Sequence, residues 1–443
     1  MDIIAFTKRI YKIILFTLAE VYYLFPTRGI FFIGVTGTSG KSTTCAILYH
    51  LLHKAGFKVG LISTLGALYG STEIKTGLHV TTPDLLDIVR IISEMKKLGA
   101  EYIIIESSSH ALAQGRLGLL KFSLAIVTNV TRDHLDWHKT WDNYIKAKAI
   151  IIDKLLPKGM AFINKDDTNS YRWFLNNKKS NLYTLKEFSK KDISDITLTK
   201  GGISFIYRGS HFLIPILGEY NIDNLLAVIE VGVQLGISLN HISEILSTFY
   251  GIKGRMEIIQ KEPFTIIVDF AHNSDSLEKA LLSLRKIVLP QKKIITVFGS
   301  AGLRDKEKRF TMGEISGSLS DVTIITAEDP RTESLSKINS RIIEGAQKVG
   351  NKLLARFTDH DSYQQYINKG VNTFILGKSI FAFDEETVQG RYDAINFAIR
   401  IANPGDIIVC EGKGHEESLC FGSSEYSYTE YDAIKKALNN NLK

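Results

Sequence analysis

The chain has 443 residues, 44% of them hydrophobic and 23% charged, and carries a net charge of +7. That length exceeds one core of ordinary size, so two or three domains are expected, and the composition excludes a disordered or fibrous protein. The basic excess is spread out, with no arginine-rich block or aromatic RNA-binding signature, which argues against nucleic acid and fits anionic small substrates. Cys45, Cys410 and Cys420 are odd in number and lack CxxC spacing, so neither a zinc site nor a disulfide framework is supported and a reducing cytoplasm is expected.

Ile3 to Phe25 is apolar and aromatic, but Lys8, Arg9, Lys12 and Glu20 interrupt it and no small-residue cleavage site follows. A spanning helix is therefore not expected. Residues 1–30 read as an amphipathic helix packed on the next domain, with a basic helix lying on the inner membrane surface through residues 1–25 as the alternative.

The apolar run Ile30 to Val35 reads as a strand and Cys45 to Ala55 as a helix. Between them lies Thr36-Gly37-Thr38-Ser39-Gly40-Lys41-Ser42-Thr43. Glycines let the backbone N–H groups turn toward phosphate oxygens, Lys41 supplies a cation for the β and γ charge, and the Ser42 or Thr43 hydroxyl can reach Mg²⁺. A strict G-x-x-x-x-G-K would place glycine at Val35, whereas the glycines here are Gly34, Gly37 and Gly40. ATP binding is expected all the same, because strand, loop and helix are all present.

Downstream, strand-like Val59 to Ser63, a helical stretch from Pro83 to Leu98 capped by Thr82, and buried runs at Tyr102–Ile105 and Leu124–Val127 alternate. This predicts a parallel sheet covered by helices, with ligands beyond the carboxyl ends of the strands. Glu106 and His134 follow two such ends. Alone, each would read as a solvated charge or a structural histidine; together they are suitable ligands for a second Mg²⁺ beside the one at Ser42. On the helix predicted for Trp141 to Leu156, Tyr144, Lys148 and Ile152 share one face at i, i+4 spacing. From Lys253 the pattern restarts, with strands at Phe264–Asp269, Lys293–Phe298 and Val322–Ala327, and helices at Ser274–Ile287 and after Arg309. The fold class expected is α/β: a central P-loop ATPase-like parallel-sheet domain over 31–252, then a Rossmann-like domain over 253–443.

Several of these segments, in this order, resemble the Mur ligases. They are the loop with three spaced glycines, Thr81-Thr82-Pro83, ESSSHALAQGR (Glu106–Arg116), TNVTRDHLDWH (Thr128–His138), GEYNIDN, GRME, DFAHNSD, Arg304-Asp305-Lys306 and GKGHE (Gly412–Glu416). The nearest type adds a diamino acid to UDP-N-acetylmuramoyl-L-alanyl-D-glutamate. The resemblance implies ATP-dependent amide formation through an acyl phosphate in peptidoglycan precursor synthesis, with Mg²⁺, by a cytoplasmic monomer. It implies catalytic roles for Lys41, Glu106, His134 and Lys148. Lys148, rather than Lys146, would be carbamylated (N6-carboxylysine) and would hold metal with Ser42, Glu106 and His134; its structural alternative is an exposed helix lysine. Carbamylation is chemically plausible because a lysine in a low-dielectric pocket has a depressed pKa and can react with CO₂.

By the same resemblance, Gly37, Thr38, Ser39, Gly40, Lys41, Ser42, Thr43, Asn224, Arg255, His272 and Asp275 meet ATP. Arg255 could equally be an interdomain ion pair. Thr81, Thr82, Ser108, Gln114 and Arg116 meet the muramoyl-peptide acceptor, and Arg304, Asp329, Arg331, Gly412 and Glu416 the incoming amino acid. Three departures stand out. Phe270, Asn273 and Ser274 replace the usual Tyr, Thr and Pro. Glu328-Asp329-Pro330-Arg331 replaces Asp-Asn-Pro-Arg, which keeps lysine open beside the favoured meso-diaminopimelate. Only about thirty residues precede the loop, so the family's N-terminal UDP-binding domain is expected to be missing. A folylpolyglutamate synthetase-like ligase is the rival enzyme, opposed by ESSSHALAQGR and GKGHE; a non-catalytic binding protein is opposed by intact Lys41, Glu106, His134 and Lys148.

Overall fold

The structure is a computed structural model that describes residues 3–75, 81–131, 133, 135–178, 182–370 and 378–441. The chain forms two compact units. Unit 1 comprises Met1–Thr197, Ile203–Pro215 and Tyr220–Tyr250; unit 2 comprises Leu198–Gly202, Ile216–Glu219 and Gly251–Lys443.

Unit 1 opens with α1 (Ile3–Tyr22), β1 (Phe31–Thr36) and α2 (Lys41–Lys54). Next come β2 (Val59–Ser63), β3 (Gly66–Tyr69), β4 (Thr72–Ile74), α3 (Leu85–Lys97), β5 (Tyr102–Glu106), α4 (Ser109–Ala113) and β6 (Phe122–Val127). The remainder is α5 (Leu135–His138), α6 (Trp141–Asp153), β7 (Leu155–Asn164), α7 (Thr168–Asn176), β8 (Thr184–Phe188), a small sheet of β9 (Ile193–Thr199), β10 (Gly202–Tyr207) and β11 (Ser210–Ile214), α8 (Asn221–Gln234) and α9 (Leu239–Leu246). The main sheet runs β4-β3-β2-β5-β1-β6-β7-β8, all strands parallel except β3, which is antiparallel to both β2 and β4. Its central strands are continuous apolar runs because helices cover both faces. On α3 the buried Leu85, Ile88, Val89, Ile92 and Met95 recur at helical spacing, which is what seats it.

Two expected boundaries shift. The first residue of α3 is Leu85 with Asp84 at its N-cap, and Thr82 points elsewhere, donating from Oγ1 to the Glu106 carbonyl (2.9 Å). Helix α6 ends at Asp153, because Leu155 already pairs with Phe122 as a strand.

Unit 2 contains β12 (Glu257–Gln260), β13 (Thr265–Val268), α10 (Ser274–Arg285), β14 (Ile294–Phe298), α11 (Glu307–Leu319), β15 (Val322–Ile325) and α12 (Leu335–Lys348). It continues with β16 (Lys352–Phe357), α13 (His360–Asn368), β17 (Ser379–Phe383), α14 (Val388–Ile401), β18 (Ile407–Cys410), the hairpin β19 (Ser418–Phe421) and β20 (Ser424–Ser427), and α15 (Glu430–Asn441). Its sheet runs β12-β13-β18-β14-β15-β17-β16, parallel apart from edge strand β12. Among the described residues, no helix is long and apolar enough to cross a membrane.

Candidate active site

In unit 1, β1 lies between β5 and β6, so the loop leaving Thr36 emerges between Glu106 and Thr128. Two glycines are dictated by close approach. A Cβ on Gly37 would lie 1.8 Å from Thr128 Oγ1, and one on Gly40, which has φ +81°, 2.3 Å from Asn224 Oδ1. The loop is pinned from the β6 side: Thr38 N donates to Asn129 O (2.8 Å), Ser39 N to Asn129 Oδ1 (3.0 Å), and Thr128 Oγ1 to Ser39 O (2.7 Å). Helix α2 then starts at Lys41 with no side-chain cap, so its first N–H groups and the positive end of its dipole suit phosphate oxygens.

Four reactive groups surround this loop. Lys41 Nζ donates to Thr38 O (2.9 Å) and Ser42 Oγ to Glu106 Oε1 (2.9 Å). Glu106 is fully buried at the end of β5 and also accepts from Thr64 N (3.0 Å) and Thr64 Oγ1 (3.1 Å). Lys148, 1% exposed, donates to Gly37 O (2.6 Å) and stands 4.5 Å over the Tyr144 ring. Burial pushes its amine well below the ordinary lysine range; the Lys41 charge adds to this and Asp133 opposes it. A neutral amine is the form that reacts with CO₂. His134 lies outside the described residues, and among the described residues no three His, Cys, Asp or Glu side chains cluster to hold a metal. The Ser42–Glu106 oxygen pair is of the hard type magnesium prefers, and a carbamate on Lys148 would add another. Thr43 is half-buried beside Ser42. Asn224, on α8, accepts from Thr44 Oγ1 (3.1 Å) and donates to Asn221 Oδ1 (2.9 Å).

Thr82, Ser108, Gln114 and Arg116 come together at the end of β5. Ser108 N donates to Thr82 Oγ1 (3.1 Å), Arg116 Nη1 to Thr82 O (2.9 Å) and Arg116 Nε to Gln114 Oε1 (2.9 Å), while Arg116 also pairs with Asp84 (3.3 Å). Thr81 adjoins them and is half-buried.

Unit 2 places its groups on adjacent strand ends. Arg255 stacks on Phe270 (4.4 Å), and its buried Nε has no hydrogen-bond partner among the described residues. His272 Nδ1 is 3.0 Å from Phe270 O, and burial pushes its imidazole down. Asp275 is spent on an exposed pair with Lys279 (2.7 Å). Asp329 Oδ1 accepts from Lys413 Nζ (3.0 Å) and Cys420 N (2.9 Å), and Lys413 also pairs with Glu416 (2.6 Å). Arg331 Nη1 donates to Gly302 O (3.3 Å), and Arg304 is exposed. Gly412 takes φ +102° against Glu328, whose buried Oε2 has no hydrogen-bond partner among the described residues and whose carboxyl burial pushes up to about 7. Sequence reasoning gave no role to Asn129, Thr64, Glu328 or Lys413. Asn129, Glu328 and Lys413 lie inside the motif segments, whereas Thr64 carried no signal.

A phosphate loop at the centre of a parallel sheet, ringed by a lysine, a buried carboxylate and a buried low-pKa lysine, defines an enzyme that handles a nucleoside triphosphate. The Mur ligase middle domain matches residues 35–232, and the Mur ligase, glutamate ligase domain matches residues 254–414. A curated relative from Synechocystis sp., "UDP-N-acetylmuramoyl-L-alanyl-D-glutamate--2,6-diaminopimelate ligase", is 33% identical over 431 residues, covering 95% of this chain and 78% of that protein. A solved structure of a ligase of the same name aligns with TM-score 0.64 at 25% identity, over 94% of this chain and 80% of that one. The MurF ligase of Thermotoga maritima in complex with ADP, 16% identical, shares the fold with TM-score 0.62 over 96% and 84% of the two chains. The chain belongs to the Mur ligase family. It is an ATP-dependent ligase of the acid–amino-acid class, as the sequence implied.

Proposed function

We propose that the chain joins meso-diaminopimelate to the D-glutamate carboxylate of a UDP-N-acetylmuramoyl-dipeptide-like acceptor, in the cytoplasm, as a step of peptidoglycan precursor synthesis. A carboxylate oxygen of the acceptor attacks the γ-phosphorus of ATP, the bond to the bridging oxygen breaks, and ADP leaves with the electron pair. The diamino acid's neutral amine then attacks the acyl carbon, phosphate leaves, and the nitrogen loses its proton. Catalysis of such a transfer is mostly positioning and charge neutralisation.

The observation that carries this reading is the convergence of Lys41, Ser42, Glu106 and Lys148 on one loop. Lys41 and the N-terminus of α2 meet the phosphates. Ser42, Glu106, His134 and carbamylated Lys148 would hold Mg²⁺, which supplies charge neutralisation on the transferred phosphoryl group. Asn224, Arg255 and His272 serve the nucleotide, and Thr81, Thr82, Ser108, Gln114 and Arg116 orient the acceptor peptide. Asp275 has the weakest case, since Lys279 already holds it.

Arg304, Arg331, Gly412 and Glu416 receive the diamino acid. L-Lysine is the second reading, suggested by the extra carboxylate of Asp329. The buried Lys413 ammonium neutralises that carboxylate, which favours a substrate with a distal carboxylate. The test is phosphate release from ATP by purified protein, with acceptor, meso-diaminopimelate and L-lysine supplied singly and in pairs. Release that needs acceptor plus diaminopimelate, with an amide product by mass, is expected; release indifferent to the acceptor would overturn the reading.

A further inference from the structure

Helix α1 is apolar on the side that meets the protein and on the side that meets solvent. Phe16 and Ala19 are buried in the unit 1 core, and Phe16 closes so tightly on Gly118 that a Cβ there would lie 2.2 Å from its ring. The single acid of the helix, Glu20, is buried and accepts a hydrogen bond from Thr27 Oγ1 (2.8 Å). On the outer side stand Ile10, Tyr11, Ile14, Leu18, Val21 and Tyr22, which are 40%, 62%, 55%, 61%, 53% and 79% exposed. At 100° per residue they fall within one arc of about 120° and form a ridge about 18 Å long, with no charged residue among them. A surface helix ordinarily turns polar side chains to water, so a contiguous apolar stripe marks a contact surface.

The charges around the ridge say what it meets. At its C-terminal end the exposed Arg28 lies 4.1 Å over Phe25, and Lys96 Nζ donates to Phe25 O (3.3 Å) and Arg28 O (2.6 Å), with Lys97 and exposed Leu98 next in the chain. Nearby acids are already matched: Asp87 and Glu94 both pair with Arg90 (3.6 and 2.7 Å), and Asp84 pairs with Arg116 (3.3 Å) and faces Lys12. An anionic bilayer offers apolar chains and negative headgroups together, and tyrosines at both ends of the stripe suit the headgroup zone.

We propose that α1 is a membrane-surface helix that docks unit 1 on an anionic lipid bilayer, its ridge at the acyl boundary and Arg28, Lys96 and Lys97 against the headgroups. The helix does not cross; it rides on the protein body. This site is independent of the ligase reading and uses none of its residues.

The test is sedimentation of the full chain with phosphatidylcholine vesicles made with and without phosphatidylglycerol, alongside light scattering for oligomeric state. Binding is expected only with phosphatidylglycerol and should weaken with added salt. Ile14→Gln with Leu18→Gln should lower partition at least about tenfold without changing Tm, since both side chains face solvent. If that pair fails to fold, Tyr22→Gln at the exposed end replaces it. Arg28→Gln with Lys97→Gln should cost roughly 25-fold, about fivefold per cation. Three results overturn the proposal: no sedimentation with anionic vesicles, binding unaffected by the ridge variants, or a lipid-free dimer that the ridge variants split while vesicles bind nothing.

Discussion

Two lysines are each 1% exposed, and they teach opposite lessons. Lys148 in unit 1 meets a backbone carbonyl, a tyrosine ring and the repulsion of Lys41, so its ammonium is poorly compensated and burial drives its pKa down. Lys413 in unit 2 sits between the carboxylates of Asp329 and Glu416. The first is a buried amine with little to hold its charge, the second a charge that organises its neighbours. Burial alone does not separate them; the partners do.

The comparison breaks most decisively on activity. Lys148→Ala should abolish ligation and recover partly when a short carboxylic acid is added to fill the vacated ligand position; an alanine variant active without additive would remove the carbamate from the mechanism. Intact-protein mass spectrometry under CO₂ should show the corresponding adduct on wild type and not on Lys148→Ala. Lys41→Ala should lose ATP turnover by roughly 10³-fold, on the order of 4 kcal/mol for a cation facing transferred phosphoryl oxygens.

Stability sharpens the contrast. Lys413→Met strands Asp329 and Glu416 and should cost about 2–3 kcal/mol by urea denaturation, toward the low end because Glu416 is 40% exposed. Lys148→Met removes a poorly compensated buried amine and should leave stability unchanged or raised. In CO₂-free buffer its folded pKa lies below 10.5, so the unfolded chain binds the extra proton and wild-type stability should climb with pH below 10.5. Lys148→Met should lose that slope.

Glu328 should show the opposite slope. Its carboxyl is raised from 4.5 to about 7, chiefly by burial, so the folded state holds the proton more tightly. Its contribution is complete below pH 4.5 and lost as pH rises through 7, at most about 3 kcal/mol. Glu328→Gln should flatten the urea midpoint between those values; an unchanged slope would mean that the carboxyl is ionised throughout. The smallest effect belongs to the exposed pair Lys58–Glu101 (2.8 Å), where Lys58→Gln should leave Tm within error.

Much of unit 1 could be read in advance, because its signals are local. An apolar run, a glycine loop with Lys41 and a following helix announce themselves within twenty residues, and the placement of Lys148 on the Tyr144–Ile152 face follows from helical spacing. Unit 2 was legible in its alternation but not in its pairings: Asp329 looked like an added negative charge, and its neutralisation by Lys413 comes from a segment far along the chain. Thr82 looked like a helix cap and instead ties the segment ahead of α3 to the end of β5.

The amino-acid sequence by itself determined the α/β class, the phosphate loop and the Mur ligase resemblance, since each depends on neighbours in the chain. Only the tertiary structure decided why Gly37 and Gly40 admit no side chain, which lysine is compensated, which carboxylate holds its proton to about 7, and that α1 turns an apolar face outward. Those properties arise where distant segments exclude water from one another. The energy of a charge or an apolar surface depends on what surrounds it, and composition and periodicity do not specify that surrounding.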